Sequence, residues 1–516
     1  MRSSIHIIPV AAAGIALLVT AQLLTAQTAE AGPGFPLTKV SGSDPYASCT
    51  VGGIPGAVAY TGSEVEPELA IDPQRPNRLI GVWQQDRWSA GGGSRGIVVT
   101  RSVDGGRTFS NTTMPVTRCA GGLDYERASF AWVSIGPDGT AYGSAFAFDV
   151  NTARNTVAAS ASDDVGLSWR NTTALIDDTS VQFLNDRNSV TADPLRPGTA
   201  YQIWSRIDGG PTGAQLLTGP TMLSVTHDHG HTWSQPRVII PTGSFQQTVA
   251  NVIVADPRTG ALYDFFTLLQ FTDDTGGTIA SADYAMSRSF DGGQTWSAPI
   301  VVTQDTSIPD FHPNTGVELR TGAAGFTSPA VDPVTGQLYL VFQATDFTNW
   351  AYNQVELVTS TDQGTTWTRP IRVNAVPSAE AFNPRVAVSP TGQVAVMYSD
   401  LRTLTDETTT LPTSTWLTVS PRGGEHFDRE RQIAPVFDFM SAPILFLGRY
   451  QGLVTSPTGF RPLFAMANSN QPDNRSDIFT GTFSGGFVPT PTAAAAPGKA
   501  PPRADHHHRP LPRHSR

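Results

Sequence analysis

Acidic, basic and aromatic side chains stand at corresponding places beside a series of short apolar runs in this chain. Carboxylates can act as general acids and bases, a tyrosine hydroxyl can act as a nucleophile, and arginines bind anions through charge-assisted hydrogen bonds. Residues of these types precede successive apolar runs at Glu66, Arg127, Arg187, Arg385, Arg449 and Tyr450. A second group follows the next run in several repeats: Asp86, Trp88, Asp149, Asp346 and Asp400. Brought to one place, these groups would form a binding or catalytic site for a polar ligand.

The elements that must position these groups are indicated by an eight-residue pattern, Ser/Thr-x-Asp-x-Gly-x-Ser/Thr-aromatic, here called the Asp box. It occurs five times, about 60 to 71 residues apart, with its aspartates at Asp104, Asp164, Asp228, Asp291 and Asp362. An altered sixth copy spans 420–427. Aspartate and Ser/Thr side chains bond nearby backbone amides, glycine adopts a conformation closed to other residues, and the aromatic ring packs on the core. Each copy therefore predicts a tight turn between antiparallel strands, and the period predicts repeated sheets.

A second repeat precedes the boxes: an apolar run, a turn containing proline, and another apolar run. These turns lie at 72–73, 137–138, 193–194, 256–257, 332–333, 389–390 and 456–457. Two strands joined by this turn, a third strand, the box and a fourth strand make one propeller blade. The sequence therefore predicts an all-β fold with a single β-propeller of seven blades and Asp boxes between third and fourth strands; six blades is the alternative. A strand near 37–40 would complete the last blade.

Strand order within a blade sorts the loops onto two faces. The hairpin turns and the Asp boxes share one face, so the boxes are expected to be scaffold. The loops between second and third strands, and the connections between blades, share the opposite face, so the candidate groups should converge at one mouth. They could merely form ion pairs that hold neighbouring blades in register. A site is favoured, because charges packed at one mouth are costly unless they are used or fully paired.

The N-terminal segment predicts export, and the C-terminal segment predicts disorder. Residues 1–31 resemble a secretory signal, with Arg2, an apolar stretch over 5–24 and small residues around Ala31. Residues 32–488 would then form the propeller, and 489–516, rich in Pro, Ala and His, a disordered tail. The histidines at 506–508 lack the spacing of a metal site, so neither a metal nor another cofactor is expected. Cys49 and Cys119 are candidates for a disulfide in an oxidising compartment.

The overall charge limits the classes of partner. The net charge is −10 and charged residues make up 15% of the chain, with no basic stripe through the propeller. Nucleic acid is therefore not expected as a partner. With the signal removed, no stable membrane insertion is expected, and the protein is predicted to be secreted. The sequence contains no feature that indicates an oligomeric state.

The boxes and their placement resemble those of the sialidase superfamily, over about residues 66–483. That resemblance implies an arginine triad for a substrate carboxylate, a tyrosine nucleophile assisted by a glutamate, and an aspartate acid/base. Arg385, Arg449 and Tyr450 match the family's later positions. The family's first arginine is missing, because the corresponding stretch has Glu66, and Asp86 stands early in the loop that usually carries the acid.

The predicted function is a secreted, sialidase-like glycoside hydrolase of the exo-α-sialidase type acting on extracellular glycans. Its nucleophile would be Tyr450 or a carboxylate, with Glu66 as the base for the tyrosine and Asp86 as the acid/base. The expected substrate-binding residues are Arg127, Arg187, Arg385, Arg449 and Trp88. Two alternatives stay open: a non-catalytic propeller that binds a glycan or a protein, and a polysaccharide lyase acting on uronate-containing glycans.

Overall fold

The computed structural model describes residues 28–29, 35–322, 325–428 and 430–484. Strands are the main regular structure of these residues, and the short helical turns Phe439–Ser441 and Pro443–Leu445 lie between the sixth and seventh sheets. Among the described residues, no helix has the length and apolar character needed to span a bilayer. The predicted tail 489–516 and the predicted signal segment 1–31, apart from the strand Thr28–Ala29, lie outside the described residues.

The strands pair in order as successive four-stranded antiparallel units. Unit 1 contains Glu64–Ile71, Leu79–Arg87, Ser94–Ser102 and Ser110–Met114. Unit 2 contains Arg127–Ile135, Ala141–Phe148, Asn155–Ser162 and Arg170–Ala174. Unit 3 contains Phe183–Ala192, Ala200–Asp208, Thr221–Thr226 and Arg237–Ile240, with the short strand Thr218–Gly219 beside them. Unit 4 contains Gln246–Ala255, Leu262–Phe271, Ile279–Ser289 and Ile300–Gln304.

The second half of the chain repeats this arrangement. Unit 5 contains Thr327–Val331, Leu338–Ala344, Gln354–Ser360 and Ile371–Arg372. Unit 6 contains Ala381–Val388, Val394–Asp400, Pro412–Ser420 and Arg431–Gln432, with Phe437–Asp438 beside its third strand. Unit 7 contains Gly452–Ser456, Gly459–Ala467, Ser476–Gly481 and the N-terminal strand Leu37–Lys39, with Phe483–Ser484 beside its second strand.

The units are closed into a ring by the N-terminal strand and by the first strands. Leu37–Lys39 pairs antiparallel with Ser476–Gly481, so the outer strand of unit 7 comes from the beginning of the chain. The first strand of each unit contacts the first strand of the next, and Gly452–Ser456 contacts Glu64–Ile71. Covering the last sheet in this way leaves its third strand paired on both sides. The predicted all-β propeller fold is confirmed, and the Asp boxes lie between third and fourth strands as predicted.

Each Asp box is a closed local network. The carboxylate of Asp291 accepts bonds from the Ser289 hydroxyl at 2.8 Å, the Thr295 amide at 2.9 Å and the Thr295 hydroxyl at 2.6 Å. These bonds to Thr295 lower the pKa of Asp291 to about 2. Gly293 has a φ of 83°, which a residue with a side chain rarely adopts. The box is thus determined within eight residues of sequence.

The aromatic residue of the box has a wider role than predicted. The Trp233 ring of unit 3 stands edge-on to Tyr142 of unit 2, with 6.4 Å between ring centroids. The Trp367 ring of unit 5 makes the same contact with Phe265 of unit 4, at 5.9 Å. These rings therefore pack across the seam to the preceding unit, rather than only on the core of their own sheet.

A bulge interrupts the first strand of units 1, 2, 3, 4 and 6 at the same place. The pairing register shifts there, and one residue takes a positive φ: Glu66, Phe130, Arg187, Ala250 and Asn383, with φ between 52° and 58°. Glu66, Arg187, Ala250 and Asn383 each stand six positions before the first residue of their hairpin turn, and Phe130 stands seven positions before Pro137. Bulges of this kind bend a strand and redirect its side chains.

The two cysteines form a disulfide with 5.7 Å between their Cα atoms. Cys49 belongs to the segment before unit 1, and Cys119 to the connection between units 1 and 2. The bond therefore fixes the N-terminal segment against that connection.

Removing a box carboxylate should reduce stability without affecting the mouth. We expect Asp291→Ala to lower the free energy of unfolding by about 1 kcal/mol, because three hydrogen bonds to an exposed carboxylate are lost. A depressed pKa stabilises the fold above the ordinary carboxyl range, so the difference from wild type should shrink as the pH falls from 5 towards about 2. Urea unfolding at a series of pH values measures it. Unchanged stability would contradict the scaffold role.

Candidate functional site

A cavity of about 580 Å³ opens among the loops that strand order assigns to the mouth. Its lining comes from the loops between second and third strands of units 1 to 3, and from the connections between units. Lining residues outside the strands include those at 91–93, 149, 152–154, 181, 212–213, 320, 446 and 449. This volume lies in the range of small-ligand sites, about 300 to 1,000 Å³.

Four arginines line this cavity: Arg87, Arg154, Arg320 and Arg449. Arg154 pairs with Asp177 at 3.0 Å and with Asp124 at 3.7 Å, and the other three form a cluster. The guanidinium carbon of Arg87 lies 4.8 Å from the centre of the Phe446 ring, and that of Arg320 lies 5.5 Å from the same centre. Within the described residues, none of the three forms an ion pair with a carboxylate. Two guanidinium groups therefore flank one aromatic ring, and the positive charge of the cluster is not neutralised by direct ion pairs.

Arg87 is buried in this cluster without a hydrogen-bond acceptor for each of its donors. Its side chain is buried, its Nη1 donates to Gln84 Oε1 at 3.0 Å, and its Nε is a buried donor without a hydrogen-bond partner. Burial lowers the pKa of Arg87 to about 10, against the opposing effect of Glu66, and the charges of Arg320 and Arg449 lower it further. An anionic group placed among these arginines would supply the missing acceptor and relieve the repulsion.

Glu66 is a buried carboxyl whose charge acts on this arginine cluster. The bulge in the first strand of unit 1 places it in the cavity lining. Its carboxyl accepts a bond from Gln84 Nε2 and another from the Arg449 amide at 3.4 Å. Burial raises the pKa of Glu66, although Arg87 and Arg449 oppose the shift. A carboxyl with a raised pKa can hold and deliver a proton near neutral pH.

An aromatic wall forms another part of the cavity. It consists of Phe130, Phe146, Phe148 and Phe183. The rings of Phe146 and Phe148 stack with 5.0 Å between centroids. Asp149 lies beside this wall, and its Oδ1 accepts the Glu126 amide at 3.0 Å. The cavity thus combines cationic groups, two carboxyls and an apolar surface on which a sugar ring could pack.

Tyr450 lies in a different environment from the one predicted for a nucleophile. It lines a separate, narrow space of about 30 Å³, is 9% exposed, and packs on Trp132 at 5.1 Å between ring centroids. Its hydroxyl donates to the Ala131 carbonyl at 3.0 Å. Burial raises the pKa of Tyr450 well above its usual range, and Glu66 and Glu68 raise it further. A buried hydroxyl held by a carbonyl does not fit the predicted role of nucleophile.

Two of the predicted substrate arginines line the narrow space that contains Tyr450. Arg385 lines the narrow space and pairs with Glu68 at 2.6 Å, and Arg187 lies beside it, 3.4 Å from Asp186. Burial raises the pKa of Glu68 to about 7, although Arg385 opposes the shift. Of the arginines predicted to bind substrate, Arg449 lines the large cavity, and Arg187 and Arg385 line the narrow space with Tyr450. Arg449 adjoins both spaces, because it lines a further small space with Arg385 and Tyr450 and its guanidinium carbon lies 5.5 Å from the centre of the Phe326 ring, against 4.3 Å for Arg187.

Arg127 has a structural role in place of the predicted one. It is fully buried, and its guanidinium donates to the carbonyls of Gly52, Ala90 and Gly92 at 2.6 to 2.9 Å. It also lies 4.5 Å from the centre of the Trp88 ring. These bonds fix the loop that borders the cavity, and Arg127 itself is not among the lining residues.

Asp86 and Trp88 also lie outside the cavity lining. Asp86 is fully buried, accepts the Gly62 amide at 2.8 Å and pairs with Arg95 at 3.0 Å. Trp88 is buried between Arg127 and Arg95. With these contacts, Asp86 does not fit the predicted acid/base role, and Trp88 does not fit the predicted ligand contact.

Arg87 and Arg320 are cavity residues that the sequence pattern did not identify. Arg320 belongs to the connection between units 4 and 5, which carries no repeat pattern. One signal was present: the boxes at 289 and 360 start 71 residues apart, against 60 to 64 between earlier neighbours. The extra length of that connection is what brings Arg320 to the mouth.

Comparison with known proteins gives a family match for one part of the chain. Residues 281–390 match the model of the BNR repeat-like domain, a stretch that includes the boxes of Asp291 and Asp362. No curated protein sequence matches this chain.

Several solved structures are similar to it. The Hadza microbial sialidase Hz136 shares 16% identity, with a TM-score of 0.43, over 75% of this chain and 73% of its own. The α-L-arabinofuranosidase arb93a from Fusarium graminearum shares 12% identity, with a TM-score of 0.42, over 81% and 93%. The leech intramolecular trans-sialidase shares 12% identity, with a TM-score of 0.41, over 83% and 69%.

The boxes, the four-stranded units and the match over 281–390 agree with one another. They confirm that this chain resembles the Asp-box β-propellers built from BNR repeats.

Proposed function

We propose that this protein is a sialidase-like glycoside hydrolase that acts on a glycan bearing a carboxylate, with an exo-α-sialidase as the leading case. The observation that carries the proposal is the cluster of Arg87, Arg320 and Arg449, which have no carboxylate partner among the described residues and share one cavity with the buried Glu66. Arginines bind carboxylates through paired, charge-assisted hydrogen bonds. A sugar carboxylate is therefore the group that this cluster suits.

In the proposed reaction the substrate carboxylate binds among the arginines, and its ring packs on the phenylalanine wall. Glu66, whose burial favours the protonated form, gives its proton to the glycosidic oxygen as the bond from that oxygen to the anomeric carbon breaks. The oxygen of a water molecule forms the new bond to the anomeric carbon, and its proton passes to Asp149. Most glycosidases use a pair of carboxyl groups that flank the bond to be cleaved.

The arginine cluster is tested with fluorogenic sialosides and other anionic glycosides. We expect Arg449→Ala and Arg320→Ala each to raise KM about tenfold or more for an anionic substrate, because a charge-assisted bond is lost. A neutral methyl ester of the same substrate should be affected much less. Arg170→Ala is the matched control, since Arg170 pairs with Asp163 next to an Asp box on the opposite face. Equal KM values for all these variants would contradict the proposed carboxylate site.

The role of Glu66 is tested by pH dependence. If its protonated form is the active one, turnover should be constant below its raised pKa and fall as the pH rises through it. Glu66→Gln should reduce kcat by about a hundredfold or more, and the residual rate should lack that decline. Glu356→Gln is the control: Glu356 is another buried carboxyl, and burial raises its pKa to about 8 in unit 5. An unchanged profile in Glu66→Gln would remove Glu66 from the reaction.

Tyr450 separates this mechanism from the tyrosine mechanism. We expect Tyr450→Phe to keep kcat within about tenfold of wild type and to lower stability by about 1 kcal/mol, because a hydrogen bond to the Ala131 carbonyl is lost. Steady-state kinetics and thermal unfolding measure the two effects. Loss of turnover by orders of magnitude at an unchanged melting temperature would restore Tyr450 as the nucleophile.

A non-catalytic glycan-binding propeller is the second candidate. It is favoured by the engaged hydroxyl of Tyr450 and the buried, paired carboxylate of Asp86. Binding of a carboxylate sugar without turnover of any glycoside, measured by calorimetry, would support it. Release of an unsaturated product from a uronate-containing polysaccharide would instead support a lyase.

We also propose that the protein is exported and acts on extracellular glycans. The disulfide between Cys49 and Cys119 supports this location, because such bonds persist in oxidising compartments. The signal predicted over residues 1–31 agrees with it.

A further inference from the structure

Two of the three clustered arginines, Arg320 and Arg449, stand next to main-chain segments that meet at one side chain, that of Asn383. Its Oδ1 accepts the Gly322 amide at 2.7 Å, and its Nδ2 donates to the Gly448 carbonyl at 2.9 Å. Gly322 follows Arg320 by two residues, and Gly448 immediately precedes Arg449. A single buried amide thus links the backbone beside one arginine to the backbone beside the other.

The contact leaves no space for larger residues. A Cβ at Gly322 would lie 2.7 Å from the Arg449 carbonyl and 2.8 Å from Asn383 Oδ1. Gly448 has a φ of 125°, and a Cβ there would lie 2.8 Å from Glu66. Both glycines are therefore required for the close approach of these segments.

The orientation of the Asn383 amide is itself fixed. Asn383 is the bulge residue of unit 6, with a φ of 52°, a conformation that asparagine tolerates better than most residues. Its backbone amide donates to Gln343 Oε1 at 3.1 Å, and Gln343 Nε2 donates to the Asp310 carboxyl at 3.1 Å. All three side chains are at least nine-tenths buried.

Asp310 secures the other side of Arg320. Its carboxyl accepts bonds from the Thr321 hydroxyl and from Asn353 Nδ2, and its carbonyl accepts the Leu319 amide at 2.8 Å. The Arg320 amide donates to the Leu445 carbonyl at 3.0 Å. Leu319 and Thr321, the neighbours of Arg320, are therefore both hydrogen-bonded to Asp310. Asp310 is also the residue that supports Gln343 and, through it, Asn383.

We propose that Asn383, supported by Gln343 and Asp310, is a positioning residue that sets the separation of Arg320 and Arg449 and so determines recognition of the substrate carboxylate. The inference rests on the proposed function. Asn383 does not touch the ligand: it acts through the main chain of the two segments that carry the arginines.

The test compares Asn383→Ala with Asn374→Ala. Asn374 is a matched control outside the cavity, because it is also buried, its Oδ1 accepts the Val355 amide at 3.0 Å, and its Nδ2 donates to the Val376 carbonyl at 3.0 Å. Asn374→Ala loses these two bonds and also the bond from Nδ2 to Gln354 Oε1 at 2.8 Å, so the control loses at least as many hydrogen bonds as Asn383→Ala. Asn383→Asp, which keeps the acceptor and loses the donor, serves if the alanine variant does not fold.

Two measurements are made on each variant. Hydrogen exchange followed by mass spectrometry should show about tenfold faster exchange of the Gly322 amide in Asn383→Ala only, because its acceptor is lost. On a sialoside turned over by wild type, Asn383→Ala should raise KM about tenfold, with little change in kcat, because the arginines no longer converge on the carboxylate. The methyl ester of that substrate should show no such rise.

Unchanged exchange at Gly322, or an equal rise of KM in Asn383→Ala and Asn374→Ala, would overturn the proposal. If wild type turns over no anionic glycoside, the proposed hydrolase function fails, and the positioning role is then decided by exchange together with calorimetric binding of N-acetylneuraminate. No difference between the two alanine variants in either measurement would reject it.

Discussion

The geometry of the mouth depends on the backbone bulge near the start of the first strands. At Glu66, Arg187 and Asn383 the chain leaves extended geometry for positive φ, and the pairing register shifts beside each of them. Such a conformation costs on the order of 1 to 3 kcal/mol for a residue with a side chain, so the paired strands on both sides must hold it. The same distortion brings Glu66 to the cavity and turns Asn383 towards the segments of two arginines. The propeller sheets and the candidate site therefore share one constraint.

The arginines of the mouth differ in how their N–H donors are satisfied. Arg127 directs its donors to three main-chain carbonyls, and Arg385 pairs with Glu68. Arg87, by contrast, keeps a buried Nε without a partner, close enough to Arg320 and Arg449 for their charges to lower its pKa. Unpaired buried charge is expensive in a folded protein, and it is tolerated where a ligand completes the arrangement. This difference distinguishes the arginines that build the mouth from those suited to bind there.

The connection between units 4 and 5 contributes both to the arginine cluster and to the buried network behind it. It supplies Arg320 to the cavity and Asp310 to the buried network, so the cation and its anchor come from one segment. Burial of Asp310 raises its pKa, and hydrogen bonds from Glu380 and Thr321 oppose that shift. Burial also raises the pKa of Glu380 to about 11, and Asp310 adds to this effect. The two carboxyls can therefore share a proton, which allows them to lie together without charge repulsion.

The sequence by itself determined the features that arise within a few residues. The Asp box closes its hydrogen bonds inside eight residues, as Asp291 does with Ser289 and Thr295, so its turn could be read directly. The alternation of apolar runs and turns likewise predicted the four-stranded units, and their regular period predicted the propeller. The closing strand near 37–40 followed from the need to cover a sheet edge.

Only the tertiary structure decided which polar residues share a cavity. Arg87 and Arg320 stand 233 positions apart in the chain, and no local pattern relates them. Tyr450 and Asp86 have the residue types of catalytic groups, but long-range contacts to Ala131 and Gly62 engage the atoms that would react. Sequence spacing fixes which loop a residue occupies, whereas side-chain direction and pairing depend on neighbours supplied by other units. The fold could therefore be predicted from local chemistry, and the membership of the site could not.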